Sequence, residues 1–198
     1  MITIIDYGAG NLRSIQRAIE AGGGEVTITA DPDQVRDAER VVLPGVGNAR
    51  AAMERLNGMG MADAVTESVA EGMPLLGVCL GMQLLFGDQE EGPTTGLGLL
   101  AGDARKLPAD HKIPHMGWNT VRFAAHTPLS DSPESPFYFV HSYIVNPASE
   151  ADIAGVTDYG VPFPSIVIHD NVWGTQFHPE KSGDAGLRLI AEWLRWKP

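Results

Sequence analysis

Apolar positions along the first half of the chain fall into two alternating rhythms. Short unbroken runs at residues 2–6, 26–30, 41–43 and 74–78 read as buried strands. The run at 74–78 shows no polar alternation, as expected of a strand covered on both faces. Helical patterns lie between them. Asn11 is placed to cap a helix reaching about Ala21, with Leu12, Ile15, Ala18 and Ile19 on one face, and three glycines at 22–24 stop it. Further helical stretches fit 49–56, 61–71 and 80–86, and Pro44 marks the expected end of the third strand.

This βαβα order predicts an α/β fold with a mostly parallel central sheet and helices on both faces. The second half has a different texture. Residues 88–136 are rich in Gly, Pro and polar side chains, with short strand candidates at 104–107 and 120–123. Runs at 137–140, 142–145, 165–169 and 172–177 read as additional antiparallel strands, with Asn171 in a hairpin turn. Residues 186–196 form an amphipathic last helix carrying Leu187, Ile190, Trp193 and Leu194. With no repeat, low-complexity tract or linker, residues 1–198 are expected to form a single domain.

Composition narrows the function. The 198 residues are 43% apolar and 20% charged, which suits a packed domain and excludes a disordered one. A net charge of −11 disfavours nucleic acid and polyphosphate partners. One cysteine cannot form an internal disulfide. The start lacks a basic region and a cleavage site, and the longest apolar run, 74–86, is broken by glycines and Gln83. A cytoplasmic enzyme is the expectation.

The lone cysteine sits in Gly77-Val78-Cys79-Leu80-Gly81, between a buried strand and a helix. That is the G-x-nucleophile-x-G pattern of a strand-to-helix elbow. Small neighbours make room for a strained central residue, the helix start favours thiolate, and the Leu80 N–H is aimed where an oxyanion would form. Gln83 follows four residues on, on the same helical face. The plainer reading is a buried structural cysteine. A thiol that attacks an amide needs a base, and His178 in Thr175-Gln176-Phe177-His178-Pro179-Glu180 is the first candidate. In extended chain Glu180 points the same way and can orient the imidazole, although Pro179 also suits an ordinary surface turn. His141, inside an apolar run, is the competing base, with a satisfied strand histidine as its plainer reading. Leu43-Pro44-Gly45-Val46-Gly47-Asn48 is a second glycine loop after a strand. It has no phosphate-loop lysine, so an oxyanion donor from Val46 or Gly47 is the sharper reading and a plain turn the blander one. The similar Asp6-Tyr7-Gly8-Ala9-Gly10-Asn11 fails as a dinucleotide fingerprint at Arg13.

Together, Pro44-Gly45-Val46-Gly47, Gly77-Val78-Cys79-Leu80-Gly81-Met82-Gln83 and His178-Pro179-Glu180 resemble the class I glutamine amidotransferases with a Cys-His-Glu triad, across essentially the whole chain. Three more segments resemble one branch of that family, the glutaminase subunits of imidazole glycerol phosphate synthases: residues 6–11, His115-Met116-Gly117-Trp118-Asn119 and Tyr138-Phe139-Val140-His141-Ser142-Tyr143. The resemblance implies that Cys79, His178 and Glu180 hydrolyse glutamine through a thioester. It implies an oxyanion site near Gly45, Val46, Gly47 and Leu80. Gln83, Ser142 and Tyr143 would then hold the amino-acid end of the substrate. It further implies a heterodimer with a (β/α)₈ cyclase subunit that receives the ammonia, and no metal or organic cofactor. Residues 7–11 and 115–119 are the candidate contact face, with structural turns as their plainer reading. A glutaminase of another synthase, a cysteine peptidase or hydrolase with the same triad, and a binding module that has lost its chemistry stay open as alternatives.

Overall fold

The computed structural model describes residues 1–108, 112–125, 127–129 and 133–198. The first half alternates as its periodicity predicts: β1 (Ile2–Ile5), α1 (Leu12–Ala21), β2 (Val26–Thr29), α2 (Pro32–Arg36), β3 (Arg40–Gly45), α3 (Ala49–Gly58), α4 (Met61–Ala70), β4 (Leu75–Cys79) and α5 (Leu80–Gln83). The Asn11 side chain accepts the Ser14 N–H at the start of α1, and Ile15, Ala18 and Ile19 are its buried face. α2 escapes the periodic signal because five residues are too few to show a stripe. Asp31 as the cap and Pro32 in the first turn nonetheless mark its start.

Two expectations need correction here. The helix after Cys79 stops at Gln83 rather than reaching Phe86, because the chain turns into β5 (Phe86–Gln89). Leu84, Leu85 and Phe86 are fully buried, and an apolar run with no polar face does not tell helix from strand. β3 also does not end at Pro44. The proline stays in the parallel ladder opposite Val78, and its carbonyl accepts the Tyr7 hydroxyl.

The second half holds β6 (Thr94–Thr95), β7 (Leu100–Lys106), β8 (His115–Phe123), β9 (Ser135–His141), β10 (Tyr143–Pro147), β11 (Ile153–Asp158), β12 (Pro162–His169), β13 (Val172–Thr175) and α6 (Gly183–Arg195). Asp170 and Asn171 close the β12–β13 hairpin, with Asp170 at φ 45°. β11 is interrupted by a register shift around Gly155, which explains its weak sequence pattern.

Nine strands form one mixed sheet in the order β2-β1-β3-β4-β13-β12-β11-β8-β9. The first five run parallel, and the rest add antiparallel strands on one side. A second sheet has the order β10-β7-β5-β6. Two apolar clusters bury the large sheet. One gathers Leu43, Leu56, Met82 and Phe86, and the other Ile19, Val78, Phe139, Phe177 and Trp193. Register then positions the site. Gly45 lies opposite Cys79, and Thr175 opposite Val78, so three parallel strands end side by side where α/β sheets bind ligands.

Candidate active site

Cys79 ends β4 with φ 55° and ψ −110°, a conformation that non-glycine residues hold only when their surroundings impose it. The surroundings here are backbone. A Cβ on Gly81 would overlap the Leu43 carbonyl oxygen, and one on Gly77 would lie 2.8 Å from the Gly81 carbonyl group. The elbow is therefore wedged against β3, and only glycine fits at those steps. Gly45 plays the same part from the other side, since its Cβ would meet the Gly81 nitrogen at 2.8 Å. It spaces the elbow and does not line the cleft. The expected helix dipole is largely missing, because α5 has only four residues. Stabilisation of a thiolate has to come from side chains. The Leu80 N–H, first in the helix, has no partner within it.

His178 supplies the first of those side chains. Its Nδ1 lies 2.8 Å from Glu180 Oε1, and both side chains are almost wholly buried. They meet by a different route from the extended chain expected. His178 is extended, but Glu180 belongs to a short 3-10 turn, Pro179–Lys181. The His178 carbonyl accepts the Ser182 hydroxyl at 2.6 Å and its N–H donates to the Tyr138 carbonyl at 2.9 Å, which locks the turn. Nε2 has no hydrogen-bond partner among the described residues and neither has Glu180 Oε2. Burial works against charge on the imidazole, but the negative charge of the nearby Cys79 thiolate and the hydrogen-bonded Glu180 carboxylate outweigh it. The pKa of His178 is raised to about 9.

A cleft of about 330 Å³ opens over the thiol, bounded by Val46, Gly47, Leu80, Gln83, Ser142 and Tyr143. That size is at the lower end of small-molecule sites, roughly 300–1,000 Å³. Seven of the expected site residues line it, counting Cys79, while Gly45, His178 and Glu180 do not. A cavity of about 370 Å³ beside α6, lined by Phe123, Leu129, Phe137 and Leu189, holds none of them.

His141 is the satisfied strand histidine. Its Nδ1 lies 2.8 Å from the Tyr143 carbonyl and its Nε2 2.9 Å from His115 Nδ1. A carbonyl only accepts, so His141 carries its proton on Nδ1, and His115 donates from Nδ1 to His141 Nε2. Burial lowers His141 to about 3 and His115 to about 4, so both are neutral.

Four residues have roles here that the sequence does not assign them. Gln176 Nε2 lies 3.8 Å from the Cys79 sulfur. Glu91 lines the cleft, raised by burial and held by the Ala49 N–H at 3.0 Å. His115 supports His141. Tyr7, expected at a contact face, is buried under Pro44 instead. Gln176 carries a legible signal, since it stands two residues before His178 on a strand beside the elbow. Glu91 carries none. The 115–119 segment is a strand with Met116 and Trp118 exposed at 62% and 59%, and Val46 is exposed at 46%.

The chain matches known proteins over this same architecture. A model of the family described as glutamine amidotransferase class-I fits residues 3–194. The imidazole glycerol phosphate synthase subunit HisH of Geobacillus thermodenitrificans is 46% identical over 98% of this chain and 95% of its own length. The subunit of that name from Methanopyrus kandleri is 47% identical over 98% and 96%. Among solved structures, a crystal structure of a glutamine amidotransferase covers 99% of this chain and 100% of its own, with TM-score 0.80 at 19% identity, a likeness of fold. A chain whose elbow, glycine loop and buried His-Glu pair all fall inside the span matched by the family model belongs to the class-I glutamine amidotransferases.

Proposed function

We propose that this chain is the glutaminase subunit of an imidazole glycerol phosphate synthase, acting in histidine biosynthesis as a single amidotransferase domain. The observation that carries the reading is 46–47% identity to HisH subunits over essentially the full length, on a chain whose Cys79 lines a cleft and whose His178 and Glu180 form a buried pair.

The chemistry follows from the geometry. The Cys79 thiolate attacks the side-chain amide carbon of glutamine, and the carbonyl oxygen becomes an oxyanion. N–H groups of Leu80 and of the Val46–Gly47 loop stabilise it. Imidazolium at His178 gives its proton to the departing nitrogen, and ammonia leaves. Neutral His178 then takes a proton from water, whose oxygen attacks the thioester. Collapse of the second oxyanion releases glutamate and restores the thiolate and imidazolium. Glu180 holds the imidazole and stabilises its charge. Gln83, Ser142 and Tyr143 contact the amino-acid end, and Glu91, the carboxylate on the cleft wall, matches the α-ammonium group.

Ammonia then passes to a cyclase subunit with a (β/α)₈ barrel, bound as a heterodimer. The exposed Val46, on the cleft wall, and the exposed Met116 and Trp118 on β8 are the proposed contact face. The test is glutamine turnover with ammonia detection on the purified chain, alone and with the cyclase. Glutamine hydrolysis and co-purification with a barrel cyclase support the reading. Cleavage of peptides with free glutamine spared would replace it with a peptidase.

A further inference from the structure

We infer that Gln176 is a fourth catalytic side chain, an amide N–H donor to the Cys79 sulfur that favours the thiolate. Its orientation is imposed by a hydrogen-bond chain through Gln83 to the Tyr143 carbonyl. The inference rests on the reading of Cys79 as nucleophile and adds a residue to it.

Atom identities along the chain follow from one fixed point, the Tyr143 carbonyl oxygen, which can only accept. Gln83 lies 3.2 Å from it through Nε2, so that end of Gln83 is its NH₂. The same Nε2 lies 3.1 Å from Gln176, so the Gln176 atom there is the oxygen. The NH₂ of Gln176 must then be the end that faces Cys79, 3.8 Å from the sulfur. Turning the Gln176 amide over would set two NH₂ groups against each other. On its far side the Tyr143 carbonyl is held by His141, which accepts from His115, whose Nε2 lies 3.3 Å from Asn119 Nδ2. Every link is a neutral donor meeting an acceptor, so the network has one consistent orientation.

The end of that network is what matters chemically. Gln176 is fully buried, and among the described residues its Nε2 finds only the sulfur. A neutral thiol is a weak acceptor, so the buried N–H is poorly satisfied while Cys79 carries its proton. The thiol proton has its own outlet, the Val140 carbonyl 3.8 Å away. Ionisation changes both contacts. The Gln176 N–H then meets an anion, and the bond becomes charge-assisted. Register explains why this residue does it. Thr175 pairs with Val78, so the next position on the β13 side falls beside Cys79.

The experiment is the rate of Cys79 alkylation by iodoacetamide in the full chain, taken at about pH 6 relative to its plateau near pH 10, which follows the thiolate fraction. Gln176→Met keeps the length and removes the donor. The expected result is a relative rate about tenfold lower than wild type, the low end for a hydrogen bond to a charge. A folded Gln176→Met chain with the wild-type profile overturns the inference. If the variant does not fold, the Gln176 side-chain amide protons of the wild type decide it by NMR. Downfield movement in step with Cys79 ionisation, absent in Cys79→Ala, supports the donor, and no movement overturns it. Alkylation needs no glutamine. A chain that fails to hydrolyse glutamine therefore sinks the proposed function, while its alkylation profile still decides whether Gln176 is the donor.

Discussion

His178 and Glu180 together show how a buried charge is tied to chemistry. A fully buried carboxylate with one oxygen unpartnered is costly unless its neighbour carries a proton. The neighbour does, up to a pH near 9. The folded His178 pKa lies above the ordinary value of about 6.5, so the stabilising proton is fully held below that value and lost as pH rises through about 9. The imidazolium that donates to leaving ammonia is lost over the same range, which sets an alkaline limb near pH 9 on glutamine turnover. Glu180→Gln keeps the shape and removes the charge. It is expected to lower kcat by roughly 10³–10⁴, the scale of orienting-acid substitutions, and to move the alkaline limb down in a pH–rate profile. An unmoved limb would mean that Glu180 only shapes the turn. Glu91 calls for the opposite signature. Glu91→Gln is expected to raise KM about tenfold with kcat nearly unchanged, because a lost α-ammonium contact is binding common to ground and transition states. Both carboxylates look alike in the sequence, and only one stands next to a recognisable histidine. That is why the triad is legible there and Glu91 is not.

At the scale of elements, the elbow and the glycine loop use glycine for two separable reasons, and two substitutions tell them apart. Gly81→Ala drives a methyl group into the Leu43 carbonyl, a backbone atom that cannot move aside, and is expected to cost at least about 3 kcal/mol in urea denaturation. Gly47 has open space around its Cβ position but sits at φ 98°. Gly47→Ala is therefore expected to cost only about 1–2 kcal/mol of stability. It is also expected to reorient the oxyanion peptide, lowering glutamine turnover by up to about 10²–10³. A turnover loss no larger than the stability loss would remove this loop from the site. The parallel half of the sheet can be read from the chain because each buried strand is an unbroken apolar run followed by a helix signal. The antiparallel half is harder. β5 hides in the buried stretch after Gln83, β11 bends at Gly155, and two-residue β6 has no pattern to show. The elbow motif survives this ambiguity because it depends on local glycine spacing, whereas the Gln83–Gln176–Cys79 contacts depend on strand order, which spacing does not reveal.

For the whole molecule, an acid-base site is combined with exposed apolar side chains at Val46, Met116 and Trp118. Free ammonia is a wasted product, so the lone chain is expected to turn glutamine over slowly, and addition of the cyclase with its nucleotide ligand to raise the rate. One oxyanion donor brought into line accounts for about 10²–10³ of such a gain. Trp118 packs edge-on to Tyr138 at 6.1 Å, with Lys181 over the Tyr138 ring at 5.9 Å, and Trp118 itself is exposed. Trp118→Ala is expected to weaken cyclase binding at least tenfold by titration calorimetry while leaving the melting temperature of the lone chain nearly unchanged. Wild-type binding by that variant would move the contact face elsewhere.

The central claim is that Cys79 forms the bond to glutamine, and acid-quenched mass spectrometry of the chain during turnover with the cyclase tests it most directly. The account predicts a glutamyl adduct on the peptide carrying Cys79, with the adduct and glutamine hydrolysis both lost in Cys79→Ala and ammonium-dependent synthesis by the complex retained. Glutamine hydrolysis persisting in that variant, or an adduct on another residue, would contradict it.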